Sequence, residues 1–159
     1  VLYLVGESRS EFGGSLYMKE LYNVVAGTIP AIDYNAERGL WNLVIEANKK
    51  GLLSAAKDCS SGGAAIALAK MACVSDKGVS ATLSVTDSRD IFAESMSRAI
   101  IEVAPENCAA FEAMVGSMAC EKIGVVGGDT FTLNDVTMRL PEMQNIYYNT
   151  FKKVIEGDL

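Results

Sequence analysis

The order of apolar patterns along this chain predicts an α/β (α+β) fold, a mixed β-sheet layered with helices. Three observations carry that expectation. Strand-like segments such as Val1-Leu2-Tyr3-Leu4-Val5 alternate with segments of helical period, a hairpin signal at Asn134-Asp135 intrudes late, and glycine pairs precede two helices. Alternation alone would give a doubly wound parallel sheet, and the hairpins shift the expectation to a mixed one.

The opening strand runs into a loop rich in Gly, Ser and Glu over residues 6–14. Ser15 then caps a helix over 16–25, in which Leu21, Val24 and Val25 fall at helical spacing and which Gly27 and Pro30 stop. A second helix follows Asp33. Its apolar face is Leu40, Leu43, Val44 and Ala47, with Trp41 near the edge, and Lys49-Lys50-Gly51 ends it with cations at the carbonyl end. Residues 52–57 read as a short strand, 58–63 as a loop and 64–72 as an alanine-rich helix.

Residues 79–85 alternate as a strand, 87–90 make a charged turn, and 97–103 form a further strand. Pro105 enters the first turn of a helix over 106–118 that presents Ala109, Ala110, Phe111 and Met114. A strand over 122–126 ends in Gly127-Gly128, and 130–133 with 136–138 make the hairpin. The last helix, 141–156, carries a stripe of Met143, Ile146, Tyr147, Phe151, Val154 and Ile155, which is expected to pack in the core.

At 159 residues, 50% hydrophobic and 21% charged, the chain has the size and composition of one globular domain. The net charge of −6, without a Lys/Arg cluster, argues against a nucleic-acid surface, and no apolar run is long enough for a membrane helix. Cys59, Cys73, Cys108 and Cys120 form no CxxC pair and read as reduced cysteines within ordinary elements. With no leader pattern, the expected location is the cytoplasm. The opening without Met, directly in a strand pattern, suggests a piece of something longer. With no histidine, Ser-His-Asp and Cys-His chemistry and the usual metal ligand are excluded, so other residues or other domains supply the reactive groups.

Three stretches stand apart from ordinary core. In Glu11-Phe12-Gly13-Gly14-Ser15, the glycines precede a helix start whose amides attract anions, so the stretch is either a phosphate seat or a tight turn with an N-cap. In Asp58-Cys59-Ser60-Ser61-Gly62-Gly63, Asp58 and Ser60 suit a magnesium ion and a phosphate oxygen, or else the stretch is a capping turn; it is neither a Walker loop nor a Rossmann fingerprint. In Phe92-Ala93-Glu94-Ser95-Met96-Ser97-Arg98, Glu94 and Arg98 suit a polyhydroxylated ligand or a surface ion pair.

In order, EFGGSLY, PAIDYNAERGLWNLVIEANKKGLLSAAKDCSSGGAAIALAKMA, FAESMSRAIIEVAPENCAAFE and IGVVGG resemble the C-terminal domain of the superfamily containing aminoimidazole ribonucleotide (AIR) synthetase, selenophosphate synthetase and hydrogenase maturation factor. Within it, the E-F-G-G-S and F-x-E-S-x-S-R stretches look most like the phosphoribosylformylglycinamidine synthase (FGAM synthase, PurL) family. The resemblance implies a single C-terminal-type domain over 1–159, from an ATP-dependent carbon–nitrogen ligase built of doubled modules.

That family converts formylglycinamide ribonucleotide to its amidine with ammonia from glutamine, in purine biosynthesis. The resemblance implies ATP or ADP with Mg2+ as cofactors, and as partners the remaining modules, a glutaminase subunit (PurQ) and a small subunit (PurS). It makes the domain a scaffold that borders an auxiliary nucleotide. Phosphate contacts would fall to Gly13, Gly14, Ser15, Ser60, Gly62 and Gly63, and the metal to Asp58, while Glu94 and Ser95 would be counterparts of substrate contacts; no residue here is expected to be catalytic. The chain departs from the family pattern at Lys57, where His is usual, and at Ser61, where an acidic residue is usual. The alternatives are another synthetase of the superfamily or a non-catalytic nucleotide-binding assembly module.

Overall fold

Strands β1 (Leu2–Val5), β2 (Leu53–Asp58), β3 (Val79–Ala81), β4 (Ala99–Val103), β5 (Cys120–Val126), β6 (Thr130–Leu133) and β7 (Val136–Arg139) form one sheet in the order β2-β4-β1-β5-β3-β6-β7. Neighbours run antiparallel except β3 and β6, which are parallel, so the sheet is mixed. The computed structural model describes residues 1–157; the last two positions of the domain expected over 1–159 lie outside them.

The period of two along a strand decides which core each side chain joins. Leu2 and Leu4 of β1 pack with Ile100, Phe131 and Leu68 under α3 (Gly63–Ser75) and the start of α5 (Leu140–Glu156). Tyr3 and Val5 point the other way, with Ile101, Leu40, Leu43 and Phe111, under α2 (Tyr34–Lys49) and α4 (Cys108–Val115). Helices therefore cover both faces, and the sheet is mixed and layered with helices as the sequence predicts. Tyr3 lies 5.1 Å from the Phe111 ring and donates its hydroxyl to Glu112 Oε1 at 2.6 Å; burial chiefly raises the pKa of its phenol.

Several boundaries move for identifiable reasons. Helix α1 spans Leu16–Tyr22 rather than 16–25, because Asn23 turns left-handed (φ 53°) and its N–H closes on the Lys19 and Met18 carbonyls. Strand β3 stops at Ala81 because the chain beyond it bonds a side chain: Asn134 Oδ1 accepts from Leu83 N–H at 2.8 Å and Asn134 Nδ2 donates to Leu83 O at 3.2 Å. The helix expected over 106–118 is a 3-10 turn, Pro105–Asn107, followed by α4, which Gly116 ends with φ 62°.

The apolar stripe of the last helix is the main correction. Leu140 is its buried residue and Met143 packs against the core, but Ile146, Tyr147, Phe151, Val154 and Ile155 are exposed, Phe151 by 75%. Helix α5 lies along α3, with Gln144 Nε2 and Tyr148 Oη both donating to Cys73 O, and nothing in the described residues covers its far side. The cysteines are free as expected, though Cys120 is exposed rather than interior.

Candidate functional site

The two glycine turns and the Glu94-Ser95 stretch are far apart in sequence and meet in space. Ser15 is buried, and its Oγ accepts from Met18 N–H at 3.3 Å as the N-cap of α1. Phe12, Tyr17 and Phe92 form an aromatic run beside it, with the Tyr17 and Phe92 rings stacked at 5.7 Å. The start of α3 has Gly62 and Gly63 at φ 83° and 63°. A Cβ on Gly63 would stand 2.4 Å from Ala93 O, so glycine lets α3 begin directly against residues 91–93.

Glu94 joins both turns. Its Oε1 accepts from Leu16 N–H at 2.8 Å and from Gly62 N–H at 2.7 Å. One carboxylate oxygen thus meets the free amides at the starts of α1 and α3, where dipole and unsatisfied donors favour negative charge. The glycine turns expected to attract phosphate already have an anion, from the protein itself. Gly63 N–H donates to Ser60 O at 2.8 Å, which takes a further amide of the α3 start.

Ser95 and Arg98 complete the junction. Ser95 is 2% exposed and its hydroxyl accepts from Arg9 N–H at 3.0 Å and donates to Arg9 O at 2.9 Å. Arg98 is 3% exposed, not the partner of a surface ion pair with Glu94 as one expectation had it. Its guanidinium donates to Ser95 O, Ala93 O and Ser8 Oγ, replacing hydration with fixed acceptors, and burial lowers its pKa.

Asp58 stands at the end of β2 with its side chain 71% exposed and Lys57 Nζ 3.3 Å away. A hydrogen bond from Ser60, aided by Lys57, holds its carboxyl below the usual range. Among the described residues, no three His, Cys, Asp or Glu side chains come together as a metal-binding group. A single carboxylate already paired with an ammonium does not fit a resident magnesium ion. Asp58, Ser60 and Ser61 border a groove of about 1190 Å³ that passes the β2 edge of the sheet, whose apolar lining includes Trp41 and Val44 of α2 and Met71 of α3.

Sequence reasoning missed the backbone of Arg9 and Leu16 as partners of Ser95 and Glu94. No local signal reveals them, since the pairs lie 86 and 78 positions apart.

Comparison with known proteins gives a consistent family. Residues 1–135 match the family model of the AIR synthase related protein, C-terminal domain. The chain is 66% identical over 158 residues to phosphoribosylformylglycinamidine synthase subunit PurL of Sulfurimonas denitrificans, covering 99% of this chain and 21% of that protein. It is 50% identical to the subunit of the same name from a Nitratiruptor species, covering 100% of this chain and 22% of that protein. The chain therefore spans about a fifth of the length of the curated relatives it matches. Among solved structures, Thermotoga maritima PurL complexed with FGAR superposes with a TM-score of 0.73 at 16% identity, over 90% of this chain and 27% of that one, a likeness of fold. No helix among the described residues is long and apolar enough to cross a membrane.

Proposed function

The chain belongs to the family of the AIR synthase related protein, C-terminal domain, and from that premise we propose that it is one module of a phosphoribosylformylglycinamidine synthase, the cytoplasmic ligase that forms an amidine from formylglycinamide ribonucleotide. The observation that carries this reading is the 66% identity, over 99% of the chain, to a relative of that name. Glutamine is the nitrogen donor, through a glutaminase subunit, and the partners are the remaining modules with the glutaminase and small subunits.

In such an enzyme ATP supplies the phosphoryl group that activates the amide oxygen. The residues of this module do not fit a second, auxiliary nucleotide at the expected turns: Glu94 Oε1 accepts from Gly62 N–H and Leu16 N–H, and Lys57 neutralises Asp58. Of the two expected roles, bracing and nucleotide binding, this favours bracing. Glu94, Ser95 and Gly63 hold the loop after β1 and the starts of α1 and α3 as one unit. With no histidine in the module, proton transfer falls to its other side chains or to the remaining modules.

Ammonia-dependent amidine formation, measured with the full polypeptide and with a version lacking this module, tests the reading. Loss of turnover is expected on deletion; unchanged kcat and KM would overturn it.

A further inference from the structure

Strand β2 ends the sheet order, with β4 on one side and no strand on the other among the described residues. The register shows which of its backbone groups are left over. Cys59 N–H donates to Arg98 O at 2.9 Å, and the pairing with β4 is regular from Ala55 to Asp58. Directions alternate along a strand, so Lys57 turns its N–H and C=O towards β4, while Ala56 and Asp58 turn theirs away from the sheet. Natural edges are blunted by proline, by bulges or by charge. Residues 55–58 hold no proline, the irregularity of the β2–β4 pair lies before Ala55, and Lys57, the one cation among them, is 3.3 Å from Asp58.

The groove of about 1190 Å³ follows this edge. Its lining takes Trp41 and Ile45 from α2, over one face of the sheet, Met71 and Val74 from α3, over the other, and Ala55 and Ala56 from the edge itself. Trp41 is 62% exposed, Ile45 50% and Val74 69%. Apolar side chains thus flank a bare hydrogen-bonding edge from both faces, the surroundings of an inner strand position rather than of a solvated rim. A strand added there lies about 4.8 Å from β2 and turns its side chains alternately to the two faces, where these residues meet them.

We propose that an extended apolar segment from another module of the same polypeptide pairs with β2 as an eighth strand, taking up the outward backbone groups of Ala56 and Asp58. The proposal rests on the reading of this chain as one module of a longer synthase and identifies where the rest of that polypeptide grips it. The chain covers 21% of its relative from Sulfurimonas denitrificans, so about four-fifths of such a polypeptide lies outside it, tethered and therefore at high effective concentration. A second copy is the poorer occupant, because two modules of net charge −6 repel each other.

A structure of the full polypeptide by electron cryo-microscopy tests this. The backbone of a segment outside this module is expected within hydrogen-bonding distance of the Ala56 and Asp58 main chain. A bare edge, a second copy's β2, a small molecule, or a segment that covers the edge with side chains alone overturns the proposal. In solution, Ala56 and Asp58 N–H of the full polypeptide should exchange within tenfold of Lys57 N–H, which β4 holds; a larger gap overturns the pairing. Proline is tolerated on an edge whose N–H faces solvent, so Ala56→Pro separates a paired edge from a free one. Exchange across residues 53–58 at least tenfold faster than in the wild type is expected, and a smaller change counts against the ladder. Should Ala56→Pro fail to fold, the wild-type structure and exchange still decide. Ammonia-dependent turnover of the same preparation keeps the two readings apart, since an active enzyme with a bare β2 edge loses the pairing and keeps the module assignment.

Discussion

Ser95 and Arg9 are tied twice across 86 positions of sequence, the Ser95 hydroxyl accepting from Arg9 N–H at 3.0 Å and donating to Arg9 O at 2.9 Å. A single buried side chain thereby satisfies both backbone groups of one residue in the loop after β1. Ser95→Ala leaves Arg9 N–H unpaired, while Arg9 O keeps the N–H of Glu11 at 2.9 Å, and should cost about 1–2 kcal/mol in urea unfolding, with faster amide exchange across residues 7–12 than in α2. Equal protection in the two segments would contradict the tie.

Glu94 should divide its two contributions between charge and shape. Glu94→Gln keeps an acceptor for Leu16 and Gly62 N–H and should cost about 1 kcal/mol, while Glu94→Ala strands both amides and should cost about 2–4 kcal/mol. Unfolding midpoints of the two variants check this ordering.

Two glycines of positive φ differ in what a side chain would meet. At Gly63 (φ 63°) a methyl group would stand 2.4 Å from Ala93 O, whereas at Gly116 (φ 62°) it would meet nothing within 4 Å. Gly116→Ala, at φ 62° and ψ −121°, should cost about 1–3 kcal/mol for backbone strain with no collision, whereas Gly63→Ala adds to its strain the displacement of residues 91–93. Thermal unfolding of both variants separates strain from collision.

At Arg98, lysine is no substitute. Lys has one donor group and no planar fork to reach Ser95 O, Ala93 O and Ser8 Oγ together, so Arg98→Lys should lose about 2–4 kcal/mol in equilibrium unfolding.

Alkaline pH should destabilise the fold through Cys59. Burial pushes this thiol up to about 11 from an ordinary value near 9. Folding therefore favours the neutral thiol, and its contribution is complete below about pH 9 and is lost as pH rises towards 11. Unfolding measured at pH 7, 9 and 10.5 should show a fall of roughly 2 kcal/mol that is shallower in Cys59→Ala, which starts lower because it loses packing.

Most of the layered architecture was legible in the sequence because period and composition are local. The alternation of Leu2, Tyr3, Leu4 and Val5 between two cores, and the face of α2 at Leu40, Leu43 and Ala47, follow from side-chain spacing. The stripe on α5 shows the limit, since periodicity says which residues share a face and not what covers it; Phe151 keeps the pattern and remains exposed. The end of β3 was hidden because its successor residues bond the Asn134 side chain, which leaves no pattern of its own. The glycine turns were legible as turns. Their closure by one carboxylate was not, since Glu94 lies 78 and 32 positions from Leu16 and Gly62.

The position of β1 also bears on the order in which a ribosome-borne chain can settle. The strand earliest in the sequence lies between β4 and β5, so Leu2–Val5 has no neighbour until residues 99–126 have been made. During that interval its apolar side chains and bare edge are open to wrong partners, which makes a nascent-chain holdase more useful to this module than to one built from hairpins in sequence order.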